Sequence, residues 1–250
     1  AMPVMEGKSL ILSKFSGVSC VPLLIEGNTS APIVDALAII AKTFSLIMLE
    51  DISAPLCFEI ETALQERLDI PVFHDDQHGT AIVILAALIK ALEITGKNKA
   101  SVRVVINGAG AAGMAAAKLL LKYGFQDITL CDRNGMIYAG RAEGMNSYKD
   151  EIAKVTNLGK KAGTLADAMK GADIVIGVSS AGVIHPAMVK SMAKKAIVLG
   201  LANPVPEIWP KDALAAGAAI AMDGRTINNA LAFPGLIRGT ITANAKRITY

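Results

Sequence analysis

A glycine-rich turn, NGAGAAG at residues 107–113, constrains the fold of this chain more than any other feature. It lies between a β-branched run typical of a buried strand and an Ala/Leu-rich run typical of a helix. Its glycines Gly108, Gly110 and Gly113 form the pattern GxGxxG. At such a junction the first glycine permits a tight turn, the second lets the backbone approach a pyrophosphate, and the third lets helix and strand pack closely. The turn therefore predicts a dinucleotide-binding fold.

The segments that follow the turn repeat the same alternation of short apolar strands and helices. Parallel strands joined by helices give right-handed crossovers and a doubly wound sheet, so we predict the α/β class with a parallel Rossmann-type sheet. The predicted strands are 101–106, 127–132, 173–179, 196–203 and 218–224. The predicted helices are 114–124, which Gly124 ends, 164–172, which Thr164 opens, and 185–193.

The region before this alternation is less regular and predicts a second, smaller and apparently incomplete α/β domain. SLILSKF and CVPLLIEG fit strands, whereas APIVDALAIIAKTF and FEIETALQERLD fit helices. The domain boundaries that we expect are 1–75 for part of a substrate and metal domain, 76–229 for the dinucleotide domain, and 230–250 for the start of a C-terminal helical segment.

Composition excludes several classes of protein. The chain has 250 residues, of which 52% are hydrophobic and 19% charged, so a disordered protein is excluded. The net charge of +3 has both signs scattered, which argues against nucleic acid or a membrane surface as partner. Three distant cysteines suggest free thiols, and the apolar stretch 81–89 stops at Lys90, too short to span a bilayer. With no signal-like start, we expect a cytoplasmic protein.

An acidic residue, Asp132, ends the strand after the glycine turn. A carboxylate at that place binds the hydroxyls of the adenosine ribose and would repel the extra phosphate of NADP. Arg133 is the next residue, and an arginine there can pair with that phosphate. We therefore predict NAD as the cofactor, with NADP as the alternative.

Two pairs of adjacent carboxylates each follow an apolar segment. They are Glu50–Asp51 in LEDISAP and Asp75–Asp76 in PVFHDDQHGTA. Oxygen ligands of this kind suit Mg²⁺ or Mn²⁺, and an ion would offset their mutual repulsion. The residues alone leave a second interpretation open, in which aspartates cap helices and Glu50 is solvated.

Two histidines flank the second pair. His74 and His78 have the HxxxH spacing of a metal site, but that reading requires a helix, and the run is not evidently helical. We expect both histidines to support or pack against the acids.

Six segments together resemble the bacterial malic enzymes, which are NAD(P)-dependent, metal-dependent malate dehydrogenases that decarboxylate their product. They are PVMEGK, LEDISAP, IPVFHDDQHGTA, INGAGAAG, LANPVPEI and NNALAFPG. They occur in order over essentially the whole chain. The resemblance implies conversion of L-malate to pyruvate and CO₂ with reduction of NAD(P), and a homodimer or higher homo-oligomer.

The resemblance also implies roles for individual residues. The metal ligands would be Glu50, Asp51 and Asp76. Lys8, desolvated so that its charged form is disfavoured, would act as the base, and Asp75 would orient it. The substrate contacts would be Lys8, Asn203, Asn228 and Asn229. The cofactor contacts would be Gly108, Gly110, Ala111, Ala112, Gly113, Asp132, Ser179 and Asn203.

The sequence departs from the family pattern in several places. A tyrosine expected before PVMEGK as the acid of the last step is not in the sequence, and Leu56 stands where an arginine is expected. A polar loop between Arg225 and Thr226 is missing, and the C-terminal helices do not follow. Two interpretations are open. The sequence is part of a longer chain, which the abrupt loss of the expected segments favours, or it is a truncated paralogue. The alternative functions are conversion of malate to lactate and non-catalytic NAD binding.

Overall fold

The structure is a computed structural model that describes residues 2–249. Its helices are α1 (Met2–Ser16), α2 (Ser30–Ile40), α3 (Leu56–Arg67), α4 (Asp75–Thr95), α5 (Ala111–Tyr123), α6 (Ser147–Ala153), α7 (Leu165–Met169), α8 (Pro186–Lys190), α9 (Pro210–Ala215) and α10 (Phe233–Thr242). Its strands are β1 (Ile47–Leu49), β2 (Val72–His74), β3 (Arg103–Asn107), β4 (Asp127–Asp132), β5 (Gly135–Met136), β6 (Ile174–Gly177), β7 (Ile197–Gly200) and β8 (Ile220–Asp223). Short 3₁₀ turns cover Ala41–Thr43 and Asn229–Leu231.

Contacts between residues divide the chain into two compact units. The first unit runs to Ile82 and takes in the C-terminal segment from Asn229, and the second unit is Val83–Asn228. The sequence placed the first boundary after Asp75 and treated 230–250 as a separate segment. In the structure that segment belongs to the first unit, because α10 packs against α1.

The second unit is built on a six-stranded sheet in the order β5-β4-β3-β6-β7-β8. Every neighbouring pair is parallel except β4 with the short β5. All residues of β6 and β7 are buried, as expected for parallel strands covered on both faces. The predicted α/β class with a doubly wound parallel sheet is confirmed.

Local signals in the second unit agree with the structure. Gly124 ends α5 in the left-handed conformation, with φ of 108°. Thr164 opens α7 with a reciprocal capping box, in which Thr164 and Asp167 each bond the other's backbone N–H. The core beneath the sheet includes Val105, Val175 and Val198. Capping chemistry and strand periodicity therefore determine this unit locally.

The first unit has a two-stranded parallel sheet of β1 and β2 packed against α2 and α3. Its predicted helices are present, but the two predicted strands at its start are wrong. SLILSKF lies inside α1, and residues 17–29 have no regular secondary structure. The run is helical because Leu12 reaches a cluster with Phe73, Phe233 and Ile237. Tertiary packing thus overrides the local strand preference.

Helix α4 is longer than its apolar stretch suggested. The helix is 21 residues long and continues past Lys90 to Thr95. An 18-residue window with mean hydropathy of 1.6 makes it the one helix among residues 2–249 that is long and apolar enough to cross a membrane. About half of that window (44%) is buried inside the structure, and a core helix of a soluble protein meets the same criteria. The expectation from residues 81–89 underestimated its length because lysine is a good helix former.

Candidate functional site

The two carboxylate pairs meet because of the register between β1 and β2. Leu49 at the end of β1 lies opposite His74 at the end of β2, and the strands are parallel. The residues that follow, Glu50 and Asp75, therefore leave the same edge of the sheet side by side. Asp75 and Asp76 also occupy the first turn of α4, where the helix dipole favours negative charge.

Lys8 of α1 stands between the two pairs. Its Nζ lies 3.0 Å from Oε1 of Glu50 and donates a hydrogen bond to Oδ2 of Asp75. The ammonium also lies 4.7 Å from the ring centroid of Phe233. The Asp75 side chain is 0% exposed and that of Lys8 is 11% exposed, so this is a buried ion cluster. The predicted hydrogen bond between Lys8 and Asp75 is present.

Burial and charge oppose each other in this cluster. Burial by itself would lower the pKa of Lys8, but the charges of Asp75 and Glu50 outweigh it and raise the pKa. The expectation that the charged form of Lys8 is disfavoured overall is therefore wrong for this arrangement, because the two carboxylates outweigh desolvation. Burial, with repulsion from Asp76, raises the pKa of Glu50 to about 7. Burial likewise raises the pKa of Asp75, although Lys8 opposes the rise.

The second member of each pair is more exposed. Oδ2 of Asp76 accepts the backbone N–H of Asp51 at 2.9 Å, and Nε2 of His74 lies 3.8 Å from the same oxygen. Asp51 has φ of 57°, a left-handed conformation that only a few non-glycine residues adopt and that is common at functional sites. The strained turn after β1 thus aims a backbone donor at Asp76.

The predicted metal ligands fit a divalent ion in part. Oε2 of Glu50 is buried and has no hydrogen-bond partner among residues 2–249, which is what a ligand oxygen would look like before an ion binds. Asp76 lies close enough to Glu50 to raise its pKa. Asp51 contacts Asp76 through its backbone N–H only, and its side chain is exposed. Over the described residues, no three His, Cys, Asp or Glu side chains are already arranged to hold a metal.

Other polar groups surround the acids. A methyl group on Gly79 would lie 1.9 Å from Oδ1 of Asp75 and 3.1 Å from Cβ of Asn229, so both side chains pack against this turn of α4. Asn229 therefore lies near Asp75 at Gly79. The run with both histidines is partly helical, since α4 begins at Asp75.

The histidines have different surroundings. Nε2 of His78 lies 2.8 Å from Oε1 of Glu61, a buried carboxylate that also accepts the backbone N–H of His74. His74 is fully buried, and burial lowers its pKa. Glu61 therefore connects α3 to the end of β2 and the start of α4 through these two histidines, a role that the sequence did not suggest.

In the second unit the glycine turn has the geometry that a dinucleotide needs. Gly108 has φ of 122°, and a Cβ there would lie 2.5 Å from the carbonyl oxygen of Val178. A Cβ on Gly113 would lie 1.8 Å from the carbonyl oxygen of Gly108. A Cβ on Gly110, in contrast, meets no heavy atom of the described chain within 4 Å. The open position is the one at which a pyrophosphate approaches, beside Ala111 and Ala112 at the start of α5.

Asp132 is not an isolated carboxylate. Its oxygens accept hydrogen bonds from Nη1 of Arg141 at 2.8 Å and from Nζ of Lys149 at 2.7 Å. Burial alone would raise the pKa of Asp132, but these bonds outweigh it and lower the pKa to about 2. The sequence analysis assumed that the charge of Asp132 would repel the extra phosphate of NADP. That assumption does not hold here, because the cations Arg141 and Lys149 lie beside the carboxylate. Arg133, the other candidate for that phosphate, is exposed.

The remaining predicted contacts lie in the loops after β6, β7 and β8. Oγ of Ser179 accepts a hydrogen bond from Nδ2 of Asn107 at 2.7 Å, just before the glycine turn. A Cβ on Gly224 would lie 2.9 Å from Oδ1 of Asn203, and Asn228 donates from Nδ2 to the carbonyl of Gly224 at 3.3 Å. Asn203 and Asn228 are therefore neighbours at Gly224, while Asn229 lies near Asp75 in the first unit.

A protein-family model matches most of the chain. Residues 77–250 match the family model of the malic enzyme NAD-binding domain. The chain belongs to the malic enzyme family.

Relatives of known name agree with this assignment. The chain is 49% identical to the bifunctional malic/malolactic enzyme of Bacillus subtilis, over 99% of the chain and 62% of that protein. It is 46% identical to the NAD-dependent malic enzyme of Geobacillus stearothermophilus, over 99% of the chain and 52% of that protein. The crystal structure of the NAD-dependent malic enzyme of Thermotoga maritima superimposes with a TM-score of 0.96 at 41% identity, over 100% of the chain and 67% of that structure. The chain thus spans 62% of the length of the first of these relatives and 52% of the length of the second.

Several residues that contact the predicted site residues were not predicted from the sequence. Arg141 and Lys149 hold Asp132, Phe233 lies under Lys8, and Glu61 supports the histidines. Only Phe233 had a signal, since it lies in the quoted segment NNALAFPG. The others are single charged residues in helices or loops, and only tertiary contacts distinguish them.

Proposed function

We propose that this chain carries the catalytic residues of a malic enzyme, which oxidises L-malate with NAD(P) and releases pyruvate and CO₂. The observation that carries the proposal is the buried cluster of Lys8, Glu50 and Asp75, with one oxygen of Glu50 left without a partner among the described residues. Membership of the malic enzyme family supports it. A merely structural ion cluster would satisfy all of its oxygens.

Each unit supplies a different part of the chemistry. In the first unit Glu50, Asp51 and Asp76 are the proposed residues that would hold Mg²⁺ or Mn²⁺. When bound, the ion would polarise the hydroxyl and carboxylate of malate and stabilise the charge that develops as CO₂ leaves. In the second unit the turn at Gly108, Gly110 and Gly113 would hold the dinucleotide, which would supply the hydride acceptor for C2 of malate.

Lys8 is the proposed group that moves the proton of the malate hydroxyl. As an ammonium it donates to Oδ2 of Asp75, so it must first release a proton. Asp75 is placed to take that proton, because burial raises its pKa and makes its neutral form accessible. The neutral amine at Nζ then accepts the hydroxyl proton.

The proposed substrate contacts are amide side chains. Asn229 lies near Asp75, and an amide can donate to a malate carboxylate while its oxygen accepts from Lys8. Asn203 and Asn228 are the proposed contacts of the second unit. Ala111, Ala112, Asp132 and Ser179 complete the proposed cofactor contacts. Because Arg141 and Lys149 lie beside Asp132, NAD and NADP are both proposed cofactors. We also propose a cytoplasmic homodimer or higher homo-oligomer, which sedimentation of the purified protein tests.

A product assay tests this function. The purified protein is incubated with L-malate, NAD or NADP and Mn²⁺, and the reduced nicotinamide is followed by its near-ultraviolet absorbance while pyruvate is quantified. We expect equal amounts of reduced cofactor and pyruvate, and none after chelation with EDTA. Reduced cofactor without pyruvate would contradict decarboxylation.

A second candidate function is malolactic conversion. It is favoured by the relative from Bacillus subtilis, which is named a bifunctional malic/malolactic enzyme. Lactate formed from malate without accumulation of reduced cofactor would favour this candidate. Dinucleotide binding without turnover of malate would instead favour a non-catalytic paralogue.

A further inference from the structure

One buried carboxylate of the second unit has no part in the function proposed above. Glu207 lies in the loop between β7 and α9, and it is 0% exposed. A buried carboxylate costs several kcal/mol of desolvation unless its oxygens are well bonded. Its contacts therefore indicate what it does.

Both oxygens of Glu207 accept hydrogen bonds from backbone groups of two different loops. Oε1 accepts the N–H of Ser179, after β6, at 2.7 Å. Oε2 accepts the N–H of Ala202, after β7, at 2.9 Å. Its own carbonyl accepts the N–H of Ile184 at 3.1 Å, which holds the far end of the first loop. One side chain thus ties together two loops at the carboxyl edge of the sheet.

The local sequence makes room for this side chain. A Cβ on Gly177, the last residue of β6, would lie 2.5 Å from Cδ of Glu207. The carboxylate therefore passes directly over the end of β6, where a larger residue would displace it. Only a carboxylate offers two acceptors without a donor, since glutamine would point an NH₂ group at one of the two N–H donors.

The two tied residues adjoin the proposed ligand contacts. Ser179 also accepts a hydrogen bond from Asn107, the last residue before the glycine turn, and Ala202 directly precedes Asn203. The loops after β3, β6 and β7 are thereby joined in one polar chain. Ligands of doubly wound sheets bind at this carboxyl edge.

We infer that Glu207 is a positioning residue that holds the backbone of Ser179 and Ala202 so that these loops can bind the dinucleotide. The inference rests on the proposed function, because it assumes that Ser179 and Asn203 contact the cofactor. Glu207 itself touches neither cofactor nor substrate. Its effect on binding is through the two N–H groups that it orients.

The test compares Glu207→Gln with Asp173→Asn in the whole protein. Asp173 is the matched control because it directly precedes β6, whereas Ser179 follows that strand. The Asp173 carboxylate likewise accepts hydrogen bonds, from Lys97 and from the backbone N–H of Arg103. Amide hydrogen exchange at Ser179 and Ala202 reports the tie, and fluorescence titration with NADH together with steady-state kinetics reports the binding.

We expect Glu207→Gln to accelerate exchange at Ser179 and Ala202 and to raise the KM for NAD about tenfold, a loss of about 1.4 kcal/mol, with a smaller change in kcat. Asp173→Asn should lower the melting temperature with the KM for NAD unchanged. An equal KM in wild type and Glu207→Gln would overturn the inference, and so would equal exchange rates.

Two further outcomes are decisive. Wild-type protein that binds no NADH would overturn the proposed function itself, whereas NADH binding that Glu207→Gln leaves intact overturns only the role of Glu207. If Glu207→Gln does not fold, exchange in the wild type decides the matter, because amides tied to a buried carboxylate should exchange as slowly as those of β6. Fast exchange at both amides would contradict the tie.

Discussion

The two units of this chain build their candidate sites by opposite means. The second unit, Val83–Asn228, uses backbone shape at its glycine turn, where Gly108 and Gly113 leave no room for a Cβ and Gly110 faces open space. The first unit uses charge, with a buried lysine between carboxylates that repel one another. A site shaped by the backbone should be disrupted by substitutions that add side-chain volume. A site made of charges should be disrupted by substitutions that remove one of the opposite charges.

The largest expected effect comes from removing the central charge of the first unit. Lys8→Met leaves Glu50 and Asp75 buried without their cation, which should reduce malate oxidation roughly a thousandfold. It should also lower the free energy of unfolding by about 3 kcal/mol. Steady-state kinetics and urea unfolding measure these effects.

A matched control for this change lies on the same helix. Lys14 is exposed in the last turn of α1, so Lys14→Met should leave both quantities near wild type. NADH binding should survive in both variants, because the dinucleotide turn belongs to the second unit. Full activity of Lys8→Met would refute the charge-based account of the first unit.

The next largest effect is steric and belongs to the second unit. Gly113→Ala places a methyl group 1.8 Å from the carbonyl of Gly108, and the resulting overpacking should destabilise the protein by about 3 kcal/mol. Gly110→Ala, with no described atom within 4 Å of its methyl, should fold normally but bind NADH at least about tenfold more weakly.

Thermal unfolding and NADH titration separate these two glycine variants. The same loss of stability in both would mean that Gly110 does not face open space. Normal NADH affinity in Gly110→Ala would mean that the pyrophosphate does not approach the turn at that residue.

A smaller effect should appear as a pH dependence of stability. The pKa of Asp132 is about 2 in the folded protein, against an ordinary value of 3.8. Because the unfolded state takes up the proton first, the stabilisation is complete above pH of about 4 and is lost as the pH falls through about 2. Arg141→Gln should therefore lower the melting temperature at pH 7 by several degrees and by about half as much near pH 3.

Melting curves of wild type and Arg141→Gln at both pH values provide the measurement. Asp132→Asn should show the same difference from wild type, since it removes the other partner of the pair. A gap between wild type and variant that is as large at pH 3 as at pH 7 would show that the pair does not carry this pH dependence.

The smallest effect is expected for an exposed pair on the helix that bears the buried acids. Lys90 and Glu93 lie 2.8 Å apart on the surface of α4, where water screens the charges. Lys90→Ala should leave the melting temperature unchanged within error. A loss comparable to that of Lys8→Met would show that burial is not what makes the first cluster important.

The sequence predicted the second unit better than the first, for a physical reason. Strand periodicity, Gly124 as a left-handed helix end and Thr164 as a cap are local signals, and each agrees with the structure. The strand predicted over SLILSKF was wrong because α1 is held by contacts with distant Phe73 and Phe233. Short segments held by remote partners carry little local signal.

The candidate site shows the same division. The segments with Lys8, Glu50 and Asp75 were identified from their sequence, and the register of β1 with β2 brings the acids together. The direction of the pKa shift of Lys8 was wrong because the sequence did not show that two carboxylates would contact it. Arg141, Lys149 and Glu207 were missed because their roles depend on loops that only the folded chain brings together.

Binding of Mn²⁺ to the first unit tests the central claim most directly, since it does not depend on turnover. Free Mn²⁺ is followed by electron paramagnetic resonance during titration of wild type, Asp76→Asn and, as a surface control, Asp35→Asn. Wild type and Asp35→Asn should bind one ion per chain with equal affinity, and Asp76→Asn should bind at least about tenfold more weakly. Equal affinity in all three proteins, or no binding by the wild type, would contradict the claim that these carboxylates hold a catalytic metal.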